Sequence, residues 1–421
     1  MNTRAAHGQP LRGAALIARF EAVTALLVAT RQWWRPAPFQ HPRLPWEATA
    51  PELANYLRAL DRDAVEGLHS DLPALADQLS PWLPAAASVA LGTVPQLPAQ
   101  SLPPMPEPRD VPGRKWAQIQ AFLSRCQTTT LPALEWCSGK AHLGRHYAAL
   151  AGAPVAALEW DDALVAAAQQ LAQREQRPVA AHCQDVLAPT AGRWLQPAQQ
   201  VLALHACGEL HRRLLRLCAE RRPQALLLSP CCYHLGSGED YEPLSQQGQR
   251  SALQLSREEL RIALQETVTA PGREQRQRET LQAWRLGFDL LQRELRGIES
   301  YLRTPPLAAP ATIAKGFAAL CQRLARHHGL TVPAALDLAP WEQAGWRRLA
   351  EVRALDLVRA LFRPLLELWV VLDYACLLQE HGYEVELGRF CQRSLTPRNL
   401  LLRAVLPAAG TTAQNVVENT Y

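Results

Sequence analysis

Hydrophobic positions follow a helical period at both ends of the chain and a strand-like pattern in its middle. Over 14–87 and again over 243–346, apolar residues recur three and four positions apart, which is the spacing of an amphipathic helix. After Trp116 short apolar runs alternate with helical stretches, and a long apolar helix is expected from about 354 to 381. The pattern predicts an α/β core with additional helical segments.

The short apolar runs predict a mostly parallel sheet. Each has the length of a strand, and most are connected by helices or loops of the length that a crossover between parallel strands requires. Two further runs near the C-terminus are expected to complete a doubly wound sheet with helices on both faces. The predicted strands are 131–136, 154–159, 178–183, 200–206, 225–229, 383–391 and 399–406.

A proline-rich run separates the N-terminal helices from this sheet. Prolines over 94–112 disfavour helix and strand alike, because proline lacks a backbone N–H, and such a run works as a stiff linker. The later helical stretch interrupts the predicted strands and is expected to be an insertion. The chain is thus predicted to contain an N-terminal helical region ending in the linker, a first part of the core, the insertion and a C-terminal part of the core: 1–110, 111–242, 243–346 and 347–421.

The charge of the chain does not identify its binding partner. The formal net charge is +5, and only three of the 44 basic residues are lysines (Lys115, Lys140 and Lys315). The excess of arginine has two interpretations: a compositional bias of the genome, or a basic surface that binds an acidic substrate.

Cysteine usage and hydropathy indicate a reducing compartment and no membrane span. The chain has ten cysteines, none in a Cys-x-x-Cys pair, and no secretory signal is recognisable, so we expect reduced thiols and a cytoplasmic protein. The apolar stretch 14–30 carries Arg19 and Glu21, and 365–378 is too short to cross a bilayer.

The first predicted strand leads into a turn of small residues. The segment reads Glu-Trp-Cys-Ser-Gly-Lys-Ala-His-Leu-Gly, and its informative positions are Glu135, Cys137, Gly139, Ala141 and His142. Small side chains let the backbone approach a ligand closely, and amides at the start of a helix hold anionic groups. An ordinary tight turn between a strand and a helix fits this segment equally well.

Acidic residues end the next two strands. Glu159 lies twenty residues after Gly139, where a carboxylate accepts hydrogen bonds from the two hydroxyls of a ribose. Asp185 follows the third strand, within reach of an adenine amino group. Each can instead cap the following helix, but three acidic groups at successive strand ends favour a nucleoside cofactor.

Two polar clusters follow the fourth and fifth strands. The first is Leu-His-Ala-Cys-Gly-Glu and the second is Ser-Pro-Cys-Cys-Tyr-His. Ligands bind outside the C-terminal ends of parallel strands, so these clusters are expected on the substrate side. The candidate catalytic residues are His205, Cys231, Cys232, Tyr233 and His234.

Several roles remain open for these side chains. A histidine has a pKa suited to a general base, although His205 and His234 can equally order their loops. Cys231 or Cys232 can act as a nucleophile, or pack as a small hydrophobic residue. A zinc site is another option, formed by His205, Cys207, Cys231, Cys232 and His234, since these ligand types suit zinc and adjacent strand ends can bring them together. The adjacent cysteines lack the two-to-four-residue gap that is usual between zinc ligands, so no metal site is expected.

These motifs, in this order, resemble a family of methyltransferase-like proteins that includes the glutathione S-transferase C-terminal-domain-containing proteins. That family carries Gly-Lys-Gly-His-Leu, Leu-His-x-Cys-Gly-Asp-Leu and Cys-Cys-Tyr motifs. It is more distantly similar to a tRNA 2′-O-ribose methyltransferase family with a Cys-Cys-His-His motif. The resemblance covers 113–236 and extends to Ser-Leu-Thr-Pro-Arg-Asn, which contains Arg398.

The resemblance implies a Rossmann-like fold, S-adenosylmethionine (SAM) as cofactor and methyl transfer as the reaction. The family's cofactor loop corresponds to the segment after the first predicted strand, in which Ala141 replaces a glycine. Arg398 is expected on the acceptor side. RNA is the favoured acceptor, with a protein side chain or a small molecule as the other classes. The alternative function is a non-catalytic binding module on a degenerate methyltransferase fold.

Overall fold

The computed structural model describes residues 9–104, 108, 110–126, 130–264 and 272–407. Their backbone contacts divide the chain into two compact units. Unit 1 is built from the described parts of 1–28, 91–264 and 364–421, and unit 2 from those of 29–90 and 265–363.

Unit 1 contains an eight-stranded sheet. Its strands are β1 (Leu11–Arg12), β2 (Ala133–Trp136), β3 (Val155–Glu159), β4 (Val179–Cys183), β5 (Gln200–Cys207), β6 (Ala225–Cys231), β7 (Glu384–Arg389) and β8 (Leu400–Val405). The order across the sheet is β1-β7-β8-β6-β5-β2-β3-β4. Strands β2 to β6 pair in parallel, whereas β8 is antiparallel to β6, β7 to β8 and β1 to β7.

The α-helices account for most of the remaining described residues. No helix among them is long and apolar enough to cross a membrane. They are α1 (Ala14–Ala29), α2 (Arg31–Trp34), α3 (Pro51–Ala59), α4 (Arg62–Ser70), α5 (Leu72–Leu79), α6 (Ala85–Gly92), α7 (Gly113–Leu123), α8 (His142–Ala151), α9 (Asp162–Arg174), α10 (Glu209–Arg221), α11 (Gln246–Gln249), α12 (Arg257–Leu260), α13 (Gly272–Arg296), α14 (Ala309–Ile313), α15 (Gly316–His327), α16 (Ala339–Leu355) and α17 (Leu357–Glu380).

The predicted fold class, an α/β protein with a doubly wound and mostly parallel sheet, is confirmed. The bounds of β2 to β8 agree with the predicted strands to within two residues. A central strand such as β6 is buried at every position, which explains its continuous apolar sequence, whereas the edge strand β4 is only partly buried. The short strand β1 carries no recognisable pattern and was not predicted.

The strand order reverses beside β2. The chain passes from β2 to β3 and β4 on one side, and β5 and β6 lie on the other. At such a switch point the loops after neighbouring strands turn to opposite faces of the sheet and leave a crevice at the strand ends. The fold thereby places a ligand site at the C-terminal ends of β2, β3 and β5.

Part of the proline-rich run packs on the sheet instead of forming a free linker. The Leu97 N–H donates to the Arg389 carbonyl, and the Arg389 N–H donates to the Pro95 carbonyl, each at 2.9 Å. Leu97 is buried in the core of unit 1. The pairing is limited to one bridge, between Gln96 and Arg389, because prolines cannot continue the ladder.

The two units have boundaries near 28, 90, 264 and 363, whereas the sequence suggested breaks near 110, 242 and 346. The predicted helix over 354–381 lies in the end of α16 and in α17, and α17 accommodates Pro364 in its interior. The division into four segments stays a prediction about organisation along the chain.

Unit 2 is helical, and its helices α13 and α16 pack closely against each other at Gly287 and Gly345. A Cβ atom on Gly345 of α16 would lie 2.3 Å from the Ala283 carbonyl oxygen of α13 and 2.7 Å from the Gly287 nitrogen. A larger residue at Gly345 therefore requires α13 and α16 to separate. A cluster of apolar side chains beside this contact forms a core, which includes Trp284, Phe288, Phe317, Leu320 and Leu324.

A buried carboxylate in unit 1 anchors the segment that follows β6. Asp373 on α17 has no solvent exposure. Its Oδ2 atom accepts hydrogen bonds from the Tyr241 hydroxyl at 2.6 Å and the Leu244 N–H at 2.8 Å. Its Oδ1 atom accepts from the Ser245 N–H at 2.9 Å and from the Ser245 hydroxyl at 2.6 Å. One side chain thus satisfies four donors of that segment.

We predict that Asp373→Ala lowers the free energy of unfolding by about 3 kcal/mol or more, because each buried donor left without an acceptor costs about 1–3 kcal/mol. Chemical denaturation measures the effect. The matched control is Glu380→Ala on the same helix. That carboxylate also accepts two backbone N–H groups, from Gln246 and Gln247, but it is exposed, and we expect a loss below about 1 kcal/mol. Equal losses would contradict the anchoring role.

Candidate functional site

The loop after β2 has an unusual backbone. Cys137, Gly139 and Ala141 all adopt left-handed conformations, with φ of 58°, 58° and 51°. Glycine adopts this conformation freely, but cysteine and alanine do so at a cost, and such strain clusters at ligand sites. The Ser138 N–H donates to the Leu158 carbonyl at 2.8 Å, which fixes the loop against β3.

Glu135 lies beneath this loop. The side chain is buried, and its Oε2 atom accepts from the Gly144 N–H at 2.8 Å. Burial raises the pKa of Glu135 to about 8. A Cβ on Gly144 would lie 2.5 Å from the same oxygen, so the carboxyl group fits closely against the first turn of α8. The structure therefore places Glu135 as a support for the loop.

Glu159 joins the end of β3 to the loop. Its Oε2 atom accepts from the Gly139 N–H at 2.9 Å. Its Oε1 atom accepts from the Trp160 N–H at 3.0 Å and the Asp161 N–H at 3.3 Å. A carboxylate offers about four acceptor positions, so these contacts leave capacity for a ligand hydroxyl.

His142 is held by an ionic network at the start of α8. Its Nδ1 atom accepts from Arg145 Nη2 at 2.6 Å, and the same Nη2 atom lies 2.9 Å from Asp110 Oδ2. Arg145 also pairs with Glu175. Burial, with Lys115 and Arg145 nearby, lowers the pKa of His142 to about 4, so its ring is neutral near pH 7. The side chain orients the start of the helix.

Cys137 lies where several strand ends converge. Burial, together with the neighbouring groups Glu159, Cys207, Glu135 and Asp185, raises the pKa of its thiol to about 12. These neighbours come from β2, β3, β5 and the loop after β4. The structure therefore brings the predicted cofactor residues into one neighbourhood, with the thiol of Cys137 uncharged among the acids.

Trp160 was missed by the sequence analysis. Its indole is 75% exposed, directly after Glu159. The Cys183 thiol donates to the Trp160 carbonyl at 3.5 Å, and exposed Asp185 accepts from the N–H of Leu187 at 2.9 Å. An exposed indole that directly follows an acidic strand end is a surface on which a purine ring can stack. The signal was present in the sequence as an aromatic residue immediately after an acidic strand end.

On the other side of β2, His205 lies at an irregularity of β5. Its φ of 62° coincides with a register shift between Leu204 and Ala206. His205 Nε2 lies 3.2 Å from Gln118 Oε1 on α7, a partner that the sequence did not indicate. Burial lowers the pKa of His205 to about 4, so the ring is neutral near pH 7.

Three thiols gather next to His205. The sulfur atoms of Cys207 and Cys231 are 3.1 Å apart, and those of Cys207, Cys231 and Cys232 all lie within 4.8 Å of one another. Hydrogen bonds from Cys207 and Cys231 lower the pKa of Cys232, as do His234 and Arg398 nearby.

Tyr233 and Arg398 are engaged within the protein. Tyr233 is 1% exposed, and its hydroxyl donates to Glu367 Oε1 at 3.1 Å. Arg398 Nη1 donates to the Ala263 carbonyl at 2.7 Å and lies 3.6 Å from Glu367 Oε1. The phenol is closed off from the site, whereas the guanidinium is half-buried and borders it.

Arginine side chains lie near His234. Burial lowers its pKa, and so do Arg261, Arg257 and Arg398, while Cys232 acts in the opposite direction. Its Nδ1 atom is buried without a hydrogen-bond partner among the described residues. The ring is half-buried, and its lowered pKa keeps it neutral near pH 7, close to Cys232.

An open sheet with a strained small-residue loop at its switch point and acidic side chains at neighbouring strand ends defines a nucleoside-binding α/β domain. Residues 114–238 match the family model of a methyltransferase domain. The protein is therefore an enzyme of the class predicted from its sequence, a SAM-dependent methyltransferase, and SAM is its cofactor.

Similarity to solved structures is distant. An RNA methyltransferase from Salinibacter ruber, solved with S-adenosyl-L-homocysteine, is 14% identical; the alignment covers 33% of this chain and 86% of that one, with a TM-score of 0.24. The cyclopropane synthase MmaA2 from Mycobacterium tuberculosis is 13% identical, with coverage of 71% and 87% and a TM-score of 0.26. No curated protein matches the chain.

We predict that Gly139→Val abolishes SAM binding while the fold persists. An added Cβ on Gly139 has no atom within 4 Å, so a valine would fill the open space in front of the loop where the ligand is expected. Gly152→Val is the matched control, because Gly152 has a φ of 62°, similar open space and a position at the far end of α8. Calorimetry should show normal affinity for the control alone. Normal affinity in folded Gly139→Val would remove the loop from the site.

We predict that Glu159→Ala weakens SAM binding by about 1–3 kcal/mol, because the ribose hydroxyls lose a charged acceptor. Calorimetric titration measures this as a roughly 5- to 150-fold rise in Kd. Asp162→Ala removes an exposed carboxylate three residues later, in the first turn of α9, and should leave the affinity unchanged. The same affinity in folded Glu159→Ala as in the unsubstituted protein would show that this carboxylate does not hold the ribose.

Proposed function

We propose that unit 1 transfers the methyl group of SAM to RNA. The observation that carries the choice of acceptor is the set of cationic side chains around the strand-end histidines. Arg257, Arg261 and Arg398 lower the pKa of His234, and Lys115 and Arg398 lower that of His205. Positive charges that converge on a strand-end cleft attract the phosphates of a nucleic acid.

The cofactor lies on the acidic side of the switch point in this proposal. The methionine part contacts the loop 137–142, and the ribose hydroxyls bind Glu159. The adenine lies near Asp185 and stacks on Trp160, which is exposed directly after Glu159. SAM carries a positive sulfonium, which an acidic surrounding stabilises.

The acceptor enters from the side of β5 and β6 and contacts His205, Cys232, His234 and Arg398. Its nucleophilic atom attacks the methyl carbon of SAM in line with the carbon–sulfur bond. That bond breaks, the electron pair remains on sulfur as S-adenosylhomocysteine, and the acceptor loses a proton. Much of the acceleration comes from holding the two reactants in this geometry.

His234 is the base for a hydroxyl acceptor in this mechanism. Its ring is neutral near pH 7, and it lies beside the acceptor-side residues Cys232 and Arg398. His205 is a weaker choice, because its Nε2 atom is already engaged with Gln118. A ribose hydroxyl is the acceptor atom that agrees with the distant sequence resemblance to tRNA 2′-O-ribose methyltransferases. That resemblance and the motifs of the methyltransferase-like family support the proposal.

Incubation with labelled SAM and separately prepared extracts tests the acceptor class. Total RNA, total protein and a small-molecule fraction from the same cells receive equal amounts of enzyme. The proposal expects label in the RNA fraction, removed by ribonuclease and unaffected by protease. Label that enters protein or small molecules instead would contradict RNA as the acceptor.

Charge reversal tests the position of the RNA surface. We predict that Arg261→Glu weakens RNA binding by about threefold to tenfold at low salt and reduces the salt dependence of binding, because a phosphate contact is lost. SAM affinity should not change. Arg273→Glu on α13 is the matched control, since Arg273 is also an exposed arginine but belongs to unit 2. A loss at Arg273 without a loss at Arg261 would move the RNA surface from unit 1 to unit 2.

A further inference from the structure

The three thiols on the acceptor side come from two neighbouring strands. Cys207 ends β5 and Cys231 ends β6, and the two residues are partners in the parallel register. Cys232 follows directly. The sulfur atoms of Cys207 and Cys231 are 3.1 Å apart, and all three sulfur atoms lie within 4.8 Å of one another.

The backbone at Cys232 is what brings the third thiol into the group. Successive side chains of an extended strand point to opposite faces, so Cys231 and Cys232 would ordinarily diverge. Cys232 instead adopts a left-handed conformation with φ of 51°, in a turn closed by the Leu235 N–H and the Cys232 carbonyl at 2.9 Å. A strained non-glycine residue that aims a thiol at two others indicates a function for the cluster.

The protein engages these sulfur atoms only weakly. Among the described residues, the Cys207 thiol donates to the His205 carbonyl at 3.6 Å and the Cys231 thiol to the Ala206 carbonyl at 3.7 Å. These are long and weak hydrogen bonds, which do not prevent the sulfur atoms from binding a metal.

We infer that Cys207, Cys231 and Cys232 bind one Zn²⁺ ion through their three sulfur atoms. Thiolates that bind zinc tetrahedrally at about 2.3 Å lie about 3.8 Å apart, a separation within the observed range of sulfur distances. Among the described residues, no histidine nitrogen or carboxylate oxygen joins the three sulfurs within 4.8 Å. The fourth position therefore belongs to a solvent oxygen, as in zinc sites that keep three protein ligands.

This inference reverses the expectation drawn from local spacing and is independent of the proposed acceptor. Adjacent cysteines alone make a poor zinc site, but the structure adds a third ligand from another strand, 24 residues earlier in the chain. Three thiolates and one Zn²⁺ leave a net charge of −1, which nearby Arg398 stabilises. The ion joins the end of β5 to the loop after β6 and holds the strained turn at Cys232.

Elemental analysis of the full-length protein tests the site. The protein is prepared under reducing conditions in medium supplemented with zinc and dialysed against metal-free buffer. We expect about one Zn per chain. Cys207→Ser and Cys232→Ser should each lower this to a small fraction. Cys183→Ser, at an exposed thiol outside the cluster, should retain the full zinc content.

Titration of the metal-free wild-type protein with Co²⁺ gives a readout that does not depend on the folding of variants. We expect the charge-transfer absorption of thiolate-bound Co²⁺, saturating at about one equivalent and removed by added Zn²⁺. Negligible zinc together with no charge-transfer absorption would overturn the inference. A Cys207–Cys231 disulfide, found by mass spectrometry in the reduced preparation, would overturn it as well, since the ligands would then be consumed.

Discussion

The hydrogen bond between Glu159 Oε2 and the Gly139 N–H, 2.9 Å long, joins two neighbouring strand ends at the point where the strand order reverses. It requires the left-handed loop after β2, because only that backbone turns the Gly139 amide towards β3. Glu135 supports the same loop from below through the Gly144 N–H. The crevice of the methyltransferase domain therefore depends on two carboxylates that hold backbone amides.

Charge divides the crevice into two sides. Glu159 and Asp185 lie on the side of β3 and β4, which suits a sulfonium cofactor with ribose hydroxyls. Arg398 and Lys115 lie near the histidine at the end of β5. In the proposed function, the cofactor and an RNA acceptor enter from these opposite sides, with the reacting atoms between them. The thiol cluster lies on the cationic side.

Most of the fold could be predicted from the sequence, since buried parallel strands are continuous apolar runs and their ends are marked by polar residues. The convergence around Cys137 follows from the same logic, because parallel strands end at one edge of the sheet. Local patterns cannot reveal contacts with distant segments. The engagement of Tyr233 by Glu367, and that of His205 by Gln118, depend on helices more than 80 residues away in the chain.

Other features of the structure could not be predicted from the sequence, for different reasons. The sequence included Cys207 among the possible zinc ligands at adjacent strand ends, but the local spacing of the cysteines argued against a site. Spacing cannot show the left-handed turn at Cys232, with which the three sulfur atoms lie within 4.8 Å of one another. The pairing of Leu97 with Arg389 places part of a proline-rich run on the sheet, although such a composition is typical of linkers. The sequence shows that a tryptophan follows Glu159, but it does not show that Trp160 is 75% exposed.

The central claim is that the crevice between the ends of β2, β3 and β5 binds SAM. Calorimetric titration of the unsubstituted protein with SAM, and in parallel with NAD⁺, tests it most directly. The account predicts saturable binding of one SAM per chain and no heat with NAD⁺, because the loop and Glu159 fit one nucleoside with an amino acid tail. A folded protein that gives no heat with SAM would contradict the account.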